Sequence, residues 1–169
     1  RDLSQHSNRS LLNEPLKRIL LIHFGGIGDV ILFFPVIQAL RGHFSEARLA
    51  VLVEPRCQNL LEHTYSVDHI YTFDIKTRKH PAELLELLNI VRAEAADIVI
   101  SSGSSPLVSF LLFLSATPYR VGYGSHQFTS LLTHIAPLNK EQYAAKMYYD
   151  LLLPIGFPER IPVPTIQLP

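Results

Sequence analysis

Short apolar runs alternate with longer helical patterns along this chain. Five runs predict strands, at 18–23, 48–54, 69–74, 97–101 and 119–123. The first two are continuously apolar, which is typical of strands buried on both faces. Five segments predict helices, at 30–43, 55–63, 81–95, the apolar stretch that ends at Ser115, and 141–153. This alternation predicts an α/β fold with a doubly wound, mostly parallel sheet and helices on both of its faces.

The two most apolar segments are too short to cross a membrane. Residues 30–39 and 107–116 fall well short of the ~20 residues that a spanning helix needs. We therefore expect both segments to form helices buried in the core of a globular domain.

Composition and charge exclude several functional classes. With 169 residues, 47% of them hydrophobic, the chain can bury one hydrophobic core. Its 15 basic residues balance its 15 acidic ones, so the net charge gives no argument for a nucleic-acid partner. The single cysteine, Cys57, cannot form an internal disulfide or a thiolate metal cluster, and the eight histidines show no metal-ligand spacing. We expect a packing role for Cys57, no metal, and a reducing, cytoplasmic location.

Both ends of the chain differ in composition from its middle. Residues 1–16 are polar and without periodicity, which predicts a flexible N-terminal arm. The last 16 residues, PIGFPERIPVPTIQLP, hold five of the twelve prolines, which is typical of an extended linker. We therefore expect one Rossmann-like domain over 17–157 and, over 158–169, a linker towards a second domain that the chain lacks.

The candidate site is a glycine-rich turn between the first strand and the first helix, IHFGGIGDV at 22–30. In doubly wound sheets, ligands bind beyond the carboxyl ends of the strands, beside the first strand, and this turn lies there. Gly25, Gly26 and Gly28 leave the backbone uncovered, so that a ligand can approach it closely.

One interpretation of the turn is a dinucleotide-binding fingerprint, G-x-G-x-x-G. Gly26 and Gly28 fit its first two places, whereas the third place holds Ile31. Glu54, at the end of the second strand, is a candidate ribose-binding acid. Asp29 argues against this interpretation, because its carboxylate would occupy the helix N-terminus where a pyrophosphate binds.

A second interpretation makes Asp29 the functional group. The helix dipole favours a carboxylate near the N-terminus, and a carboxylate held in a ligand cleft can accept a proton from a substrate hydroxyl as general base. Aspartate is also among the best N-cap residues, so a purely structural cap fits the spacing at least as well. The residues alone leave both alternatives open.

The order of motifs along the chain resembles the N-terminal domain of glycosyltransferase family 9, the heptosyltransferase-like enzymes of bacterial lipopolysaccharide assembly. The family's opening pattern, I-L-I-I-R-x-G-x-x-G-D-V-x-x-x-x-P, corresponds here to ILLIHFGGIGDVILFFP. The similarity continues through ARLAVLVEPRCQNLLE and ADIVISSGSSPLVSFLLFLSATPYRVGY. It ends with LLTHIAPL and AAKMYYDLLLPIGFP, which look like the family's closing strand and helix. It covers residues 18–160, nearly the whole chain.

The resemblance implies a GT-B enzyme, in which two Rossmann-like domains face each other across a cleft. The N-terminal domain would bind the acceptor, a saccharide or glycolipid, and the missing C-terminal domain would bind a nucleotide-sugar, expected to be ADP-linked. The family's Gly-Asp pair falls on Gly28 and Asp29, which implies that Asp29 is the catalytic base of an inverting, metal-independent transfer. No cofactor is implied besides the sugar donor, and we expect the isolated chain to be inactive.

Four positions depart from the family's pattern. The basic residue that often follows the family's first strand is His23 here, and the aspartate that often ends its fourth strand is Ser101. The histidine and arginine of the family's closing helix align with Tyr143 and Met147. These differences predict either an acceptor other than the usual lipopolysaccharide core or a diverged member of the family.

Other polar residues near the predicted strands are candidate acceptor ligands. Arg56 and Arg120 could bind acceptor phosphates or carboxylates through both guanidinium nitrogens, or form structural ion pairs. Gly103 and Ser104 precede a helix, where they could bind an acceptor oxyanion or only cap the helix. The basic loop KTRKH at 76–80 could contact anionic lipid at the inner face of the inner membrane, or be solvated.

Three functional hypotheses result from the sequence. The leading one is the acceptor-binding half of an inverting glycosyltransferase. The alternatives are a dinucleotide-binding oxidoreductase domain and a non-enzymatic Rossmann-like module that binds a partner or a carbohydrate.

Overall fold

The computed structural model describes residues 10–64, 66–78, 80–124, 127–160 and 162–164. Strands and helices alternate along these ranges. The strands are β1 (Arg18–His23), β2 (Arg48–Val53), β3 (His69–Thr72), β4 (Ile98–Ser101), β5 (Tyr119–Tyr123) and β6 (His134–Ala136). The α-helices are α1 (Ile27–His43), α2 (Gln58–Glu62), α3 (Pro81–Glu94), α4 (Pro106–Leu114) and α5 (Ala144–Tyr149), with 3-10 turns at Pro55–Cys57, Thr129–Leu131 and Asp150–Ile155.

The six strands form one parallel sheet in the order β3-β2-β1-β4-β5-β6. The chain starts in the middle with β1, moves outward to β3, and then crosses over to β4 on the other side of β1. This reversal creates a switch point between β1 and β4, where ligands bind in sheets of this class. The predicted doubly wound α/β fold is therefore confirmed.

Two hydrophobic cores cover the two faces of the sheet. Ile19 and Leu21 pack with α1 and α5 on one face, whereas Leu20 and Ile22 pack with α3 and α4 on the other. Because both faces are covered, successive strand residues are all buried, which explains the continuous apolar runs in the sequence.

Several boundaries differ from the sequence predictions. Helix α1 begins at Ile27 rather than at residue 30, because Gly26 serves as its N-cap. The helix predicted over 141–153 is divided into α5 and a 3-10 helix, Asp150–Ile155, that contains Pro154 and ends at Gly156 with φ of 115°. Proline cannot donate an amide hydrogen bond and glycine readily adopts positive φ, so the helix ends there.

Part of the predicted N-terminal arm is packed on the domain. Leu11 is fully buried, and its amide donates to the Ile155 carbonyl at 2.8 Å. Residues 1–9, and residues 161 and 165–169 of the predicted linker, lie outside the described ranges. Two leucines of the predicted arm over 1–16, Leu11 and Leu16, are therefore buried.

The prediction that 107–116 forms a helix buried in the core is correct for only one face of α4. Helix α4 buries one face, but four of its large apolar side chains are more than a third exposed: Leu107, Phe110, Phe113 and Leu114. The expectation for Cys57 is confirmed, since this residue is a buried free cysteine. None of the helices in the described ranges is long and apolar enough to cross a membrane.

Candidate functional site

The turn after β1 places Asp29 in the first turn of α1, at the carboxyl edge of the sheet. Gly26 is the N-cap, so Asp29 is the third residue of the helix and not its N-cap. Its Oδ2 accepts a hydrogen bond from the Gly26 amide at 3.3 Å, and its Oδ1 accepts one from the Tyr148 hydroxyl at 3.1 Å. Asp29 as a whole is half-buried. Asp29 therefore contributes to capping from within the helix and is only partly buried.

Tyr148 reaches this carboxylate from α5, at the other end of the chain. In the sequence, Tyr148 falls on the apolar stripe of the helix predicted over 141–153, together with Ala144, Met147, Leu151 and Leu152. Burial raises the pKa of its hydroxyl above the usual value, and the negative charge of Asp29 adds to the increase. Tyr148 is therefore a hydrogen-bond donor to Asp29 throughout the neutral pH range. Tyrosine combines an apolar ring with a polar tip, and this was the one indication in the sequence that the stripe could also hold a polar group.

His23, the last residue of β1, packs directly behind Asp29. Its ring stacks on Phe33 with centroids 4.6 Å apart and meets the edge of Tyr148 at 5.0 Å. Its Nδ1 lies 2.6 Å from the Ser102 hydroxyl, whereas its Nε2 is buried without a hydrogen-bond partner among the described residues. Burial lowers the pKa of His23 to about 4, although the charge of Asp29 opposes this shift. The imidazole is therefore neutral at pH 7.

The three glycines of the turn have different surroundings. A Cβ at Gly25 would lie 2.6 Å from the Asp29 Cβ and 2.7 Å from His23 Nε2. The side chains of Asp29 and His23 therefore fill the space beside Gly25, and no room is left there for a ligand. At Gly26 a Cβ would lie 3.3 Å from the Arg56 guanidinium, and at Gly28 it would meet nothing within 4 Å. Of the three glycines, Gly28 is therefore the one whose backbone a ligand can approach closely, as expected from the sequence.

Beside Gly26, the ends of β2 and β3 enclose a cavity of about 340 Å³. Its lining residues are Glu54, Pro55, Arg56, Asp74, Lys76 and Thr77. Glu54 is buried and accepts a hydrogen bond from Arg56 Nε at 2.8 Å. Its other oxygen lies 3.1 Å from Lys76 Nζ, in an ion pair without hydrogen-bond geometry. Both oxygens thus face a cation of the protein, and this weakens the hypothesis that Glu54 binds a ribose.

The structure brings most of the predicted acceptor ligands to this edge. Gly103 and Ser104 are exposed in the loop that follows β4, the neighbour of β1. Ser102, in the same loop, was not singled out from the sequence. It contacts His23 and is hydrogen-bonded to the Ile22 backbone.

Arg120, unlike the other predicted acceptor ligands, does not lie at the carboxyl edge of the sheet. It is the second residue of β5 and is level with Val99, so it lies towards the amino end of the sheet. Its guanidinium donates to the backbone carbonyls of Thr117 and Leu131, both at 2.8 Å. The side chain thus has a structural role at the other end of the strand, because ligands bind beyond the carboxyl ends.

The cations of the basic loop have acidic partners within the domain. Lys76 pairs with Glu54, and Arg78 pairs with Glu83 and Glu86 of α3. Lys79 lies outside the described ranges. Within those ranges no group of three or more histidine, cysteine or acidic side chains is arranged to hold a metal ion.

Comparisons with known proteins relate this fold to glycosyltransferases. No family model matches the sequence. Lipopolysaccharide heptosyltransferase 3 of Escherichia coli is 22% identical over 150 residues, which cover 84% of this chain and 44% of that protein. The structure of a glycosyl transferase family 9 from Veillonella parvula is 26% identical, with a TM-score of 0.73 over 89% of this chain and 43% of that one. E. coli ADP-heptose LPS heptosyltransferase II is 20% identical, with a TM-score of 0.73 over 90% and 47%.

These similarities confirm the resemblance to the heptosyltransferase-like proteins of glycosyltransferase family 9. The heptosyltransferase II structure shares the parallel sheet and its helices, which agrees with the predicted GT-B type of fold. The chain spans less than half the length of the relatives that it matches.

Proposed function

We propose that this chain is the acceptor-binding half of an inverting, metal-independent glycosyltransferase. By analogy with its relatives, the complete enzyme transfers a sugar from an ADP-linked donor, held by a second domain, to a saccharide or glycolipid acceptor. The observation that carries the proposal is the position of Asp29. Asp29 lies at the switch point of the sheet, its carboxylate is oriented by two hydrogen-bond donors, and the residue is only partly buried.

Asp29 has the geometry of a general base. Each carboxylate oxygen accepts one hydrogen bond from the protein, so each keeps a lone pair for an acceptor hydroxyl. When Asp29 takes the hydroxyl proton, the acceptor oxygen attacks the anomeric carbon and the nucleoside diphosphate leaves from the opposite face. Inversion needs one positioned base and no covalent intermediate, which a single carboxylate can provide.

Neutral His23 supports this role. A charged imidazolium behind Asp29 would pair with the carboxylate and reduce its ability to accept a proton. Because burial lowers the pKa of His23 to about 4, the ring is uncharged at neutral pH and acts as an apolar support for Asp29 and Tyr148.

The remaining candidate ligands lie on the acceptor side of the same edge. Arg56 lies against Gly26 with its side chain half exposed, and Gly28, Gly103 and Ser104 are exposed. We propose that Arg56 binds an anionic group of the acceptor while the loop amides contact its hydroxyls.

The decisive test is Asp29→Asn in the full-length protein that contains this chain. With ADP-heptose and a lipopolysaccharide acceptor, we expect kcat to fall by about 10²–10⁴-fold, the usual contribution of a general base, with an unchanged circular dichroism spectrum. Glu46→Gln, at an exposed carboxylate between α1 and β2, is the matched control and should leave kcat unchanged. Full activity of Asp29→Asn would reduce Asp29 to a helix-capping residue.

Two further measurements separate the alternatives. The 169-residue chain alone should transfer no sugar, because it spans less than half the length of the relatives that it matches, and transfer by this chain would overturn that part of the proposal. Titration with NAD should show no micromolar binding, since Asp29 occupies the helix N-terminus and Glu54 is paired with two cations. Micromolar affinity for NAD would favour the oxidoreductase. Binding of a saccharide with no transfer by the full-length protein would favour the non-enzymatic module.

A further inference from the structure

Helix α4 exposes an apolar face on the outside of the domain. Leu107, Phe110, Phe113 and Leu114 are 38%, 40%, 47% and 39% exposed, respectively. The one polar side chain of the helix, Ser109, lies on the buried side at 6% exposure. This arrangement is the reverse of an ordinary surface helix, which turns its polar residues to water.

Two arginines border this face. Arg92 of α3 donates to the Leu114 carbonyl at 3.0 Å, and the Arg120 guanidinium lies 5.5 Å from the ring centroid of Phe113. Neither arginine has an acidic partner within the part of the chain that the structure describes. An exposed apolar face bordered by two positive charges is complementary to an anionic lipid surface. Leucine and phenylalanine enter the interface and the exposed Arg92 binds head groups, while Arg120, whose guanidinium is hydrogen-bonded to backbone carbonyls, contributes its charge.

The size of the face argues against a second copy of the chain as its partner. Taking about 200 Å² for a large side chain, the four exposed fractions amount to roughly 300 Å². A stable interface needs about 800 Å² from each partner, so this face is too small to hold a dimer by itself. Insertion into a lipid interface has no such minimum, because each apolar side chain contributes by its own burial.

We propose that α4 is a membrane-contact helix that docks this domain on an anionic lipid surface. The N-terminus of the helix follows the loop that contains Gly103 and Ser104, whereas Arg92 and Arg120 border its C-terminal end. Arg160 and Val163 line a pocket with Pro35 of α1, on the opposite face of the sheet, so the described end of the chain leaves α4 uncovered. The docking of α4 requires none of the proposed chemistry, and it can be measured without a sugar donor.

Phe110→Trp gives a direct test, because the chain contains no tryptophan. We expect its fluorescence to shift to the blue when vesicles that contain phosphatidylglycerol are added, and to be quenched by brominated acyl chains. Val163→Trp is the matched control, since Val163 is an exposed apolar residue on the opposite face, and its emission should not change. An unchanged emission of the Phe110→Trp protein, or an equal response of both variants, would overturn the proposal.

A second variant tests whether the face itself provides the affinity. The double change Phe110→Ser and Phe113→Ser should weaken sedimentation with anionic vesicles at least tenfold, whereas Val163→Ser should not. Arg92→Gln should weaken binding to anionic vesicles more than to neutral ones. Undiminished binding of the double-serine protein would contradict the assignment. Dimerisation in sedimentation velocity that the double-serine change abolishes would assign the face to a second copy instead.

Discussion

Replacement of Gly25 by alanine tests the packing on which the candidate site depends. The new methyl group would lie 2.6 Å from the Asp29 Cβ and 2.7 Å from His23 Nε2, where ordinary van der Waals contact is 3.4–4 Å. Neither neighbour can move easily. The Asp29 Cβ is fixed by the backbone of α1, and the His23 ring is held by its stacking on Phe33 and by Ser102.

Overpacking in such a place costs about 1–3 kcal/mol, so we expect the free energy of unfolding of Gly25→Ala to fall by about 2 kcal/mol. Urea denaturation followed by circular dichroism measures this value. Gly28→Ala and Gly42→Ala are matched controls, because both glycines lie in α1 and a Cβ at either meets nothing within 4 Å. These controls should be neutral or stabilising by up to about 1 kcal/mol. If Gly25→Ala is as stable as the controls, the close packing of Gly25 between His23 and Asp29 is refuted.

Two other predictions concern buried charge. Because burial lowers the pKa of His23 from 6.5 to about 4, the unfolded chain binds a proton that the folded chain rejects. The free energy of unfolding should therefore fall by about 3 kcal/mol as the pH falls from 6.5 to 4. The His23→Phe variant should lack this part of the pH dependence. An identical pH dependence in the variant would contradict the assignment. Glu94 is fully buried and accepts hydrogen bonds from Arg48 at 2.8 Å and Tyr71 at 2.7 Å. Glu94→Ala should cost about 3 kcal/mol in thermal or urea unfolding, against less than about 0.5 kcal/mol for exposed Glu46→Ala.

Most of the fold could be predicted because the burial of a strand or helix determines the pattern of apolar residues within that segment. Strands covered on both faces are continuously apolar, so β1 and β2 were identifiable within a residue of their observed ends. Element ends were less accurate, because the backbone rather than the hydrophobic pattern determines them. Because Gly26 is the N-cap, α1 begins three residues earlier than predicted. After α5, the chain continues as a 3-10 helix that contains Pro154 and ends at Gly156, instead of as the predicted α-helix. Strand β6, His134–Ala136, is too short to show a period and was indicated only by the family resemblance.

The candidate site was predictable where it is local and not where it depends on distant contacts. The glycines and Asp29 are adjacent in sequence, so their turn was recognisable. Tyr148 reaches Asp29 from 119 residues away, and Ser102 reaches His23 from 79 residues away, and no pattern within either segment reports such contacts. Arg120 is different. Its place as second residue of a parallel strand already indicated the amino end of the sheet, and this argument was available from the sequence.

The glycine turn differs from a phosphate-binding loop in the state of its helix N-terminus. A phosphate-binding loop leaves the first amides of its helix free to bind the ligand's oxygens. Here the Gly26 amide donates to Asp29, so the N-terminus of α1 already holds an anion that belongs to the protein. His23 and Tyr148 pack behind this carboxylate, and Gly25 lacks the Cβ that would displace it. The turn therefore presents a negative charge to the cleft instead of receiving one. A group that donates a proton, such as the hydroxyl of an acceptor sugar, is the complementary ligand for such a surface, whereas a pyrophosphate is repelled by it.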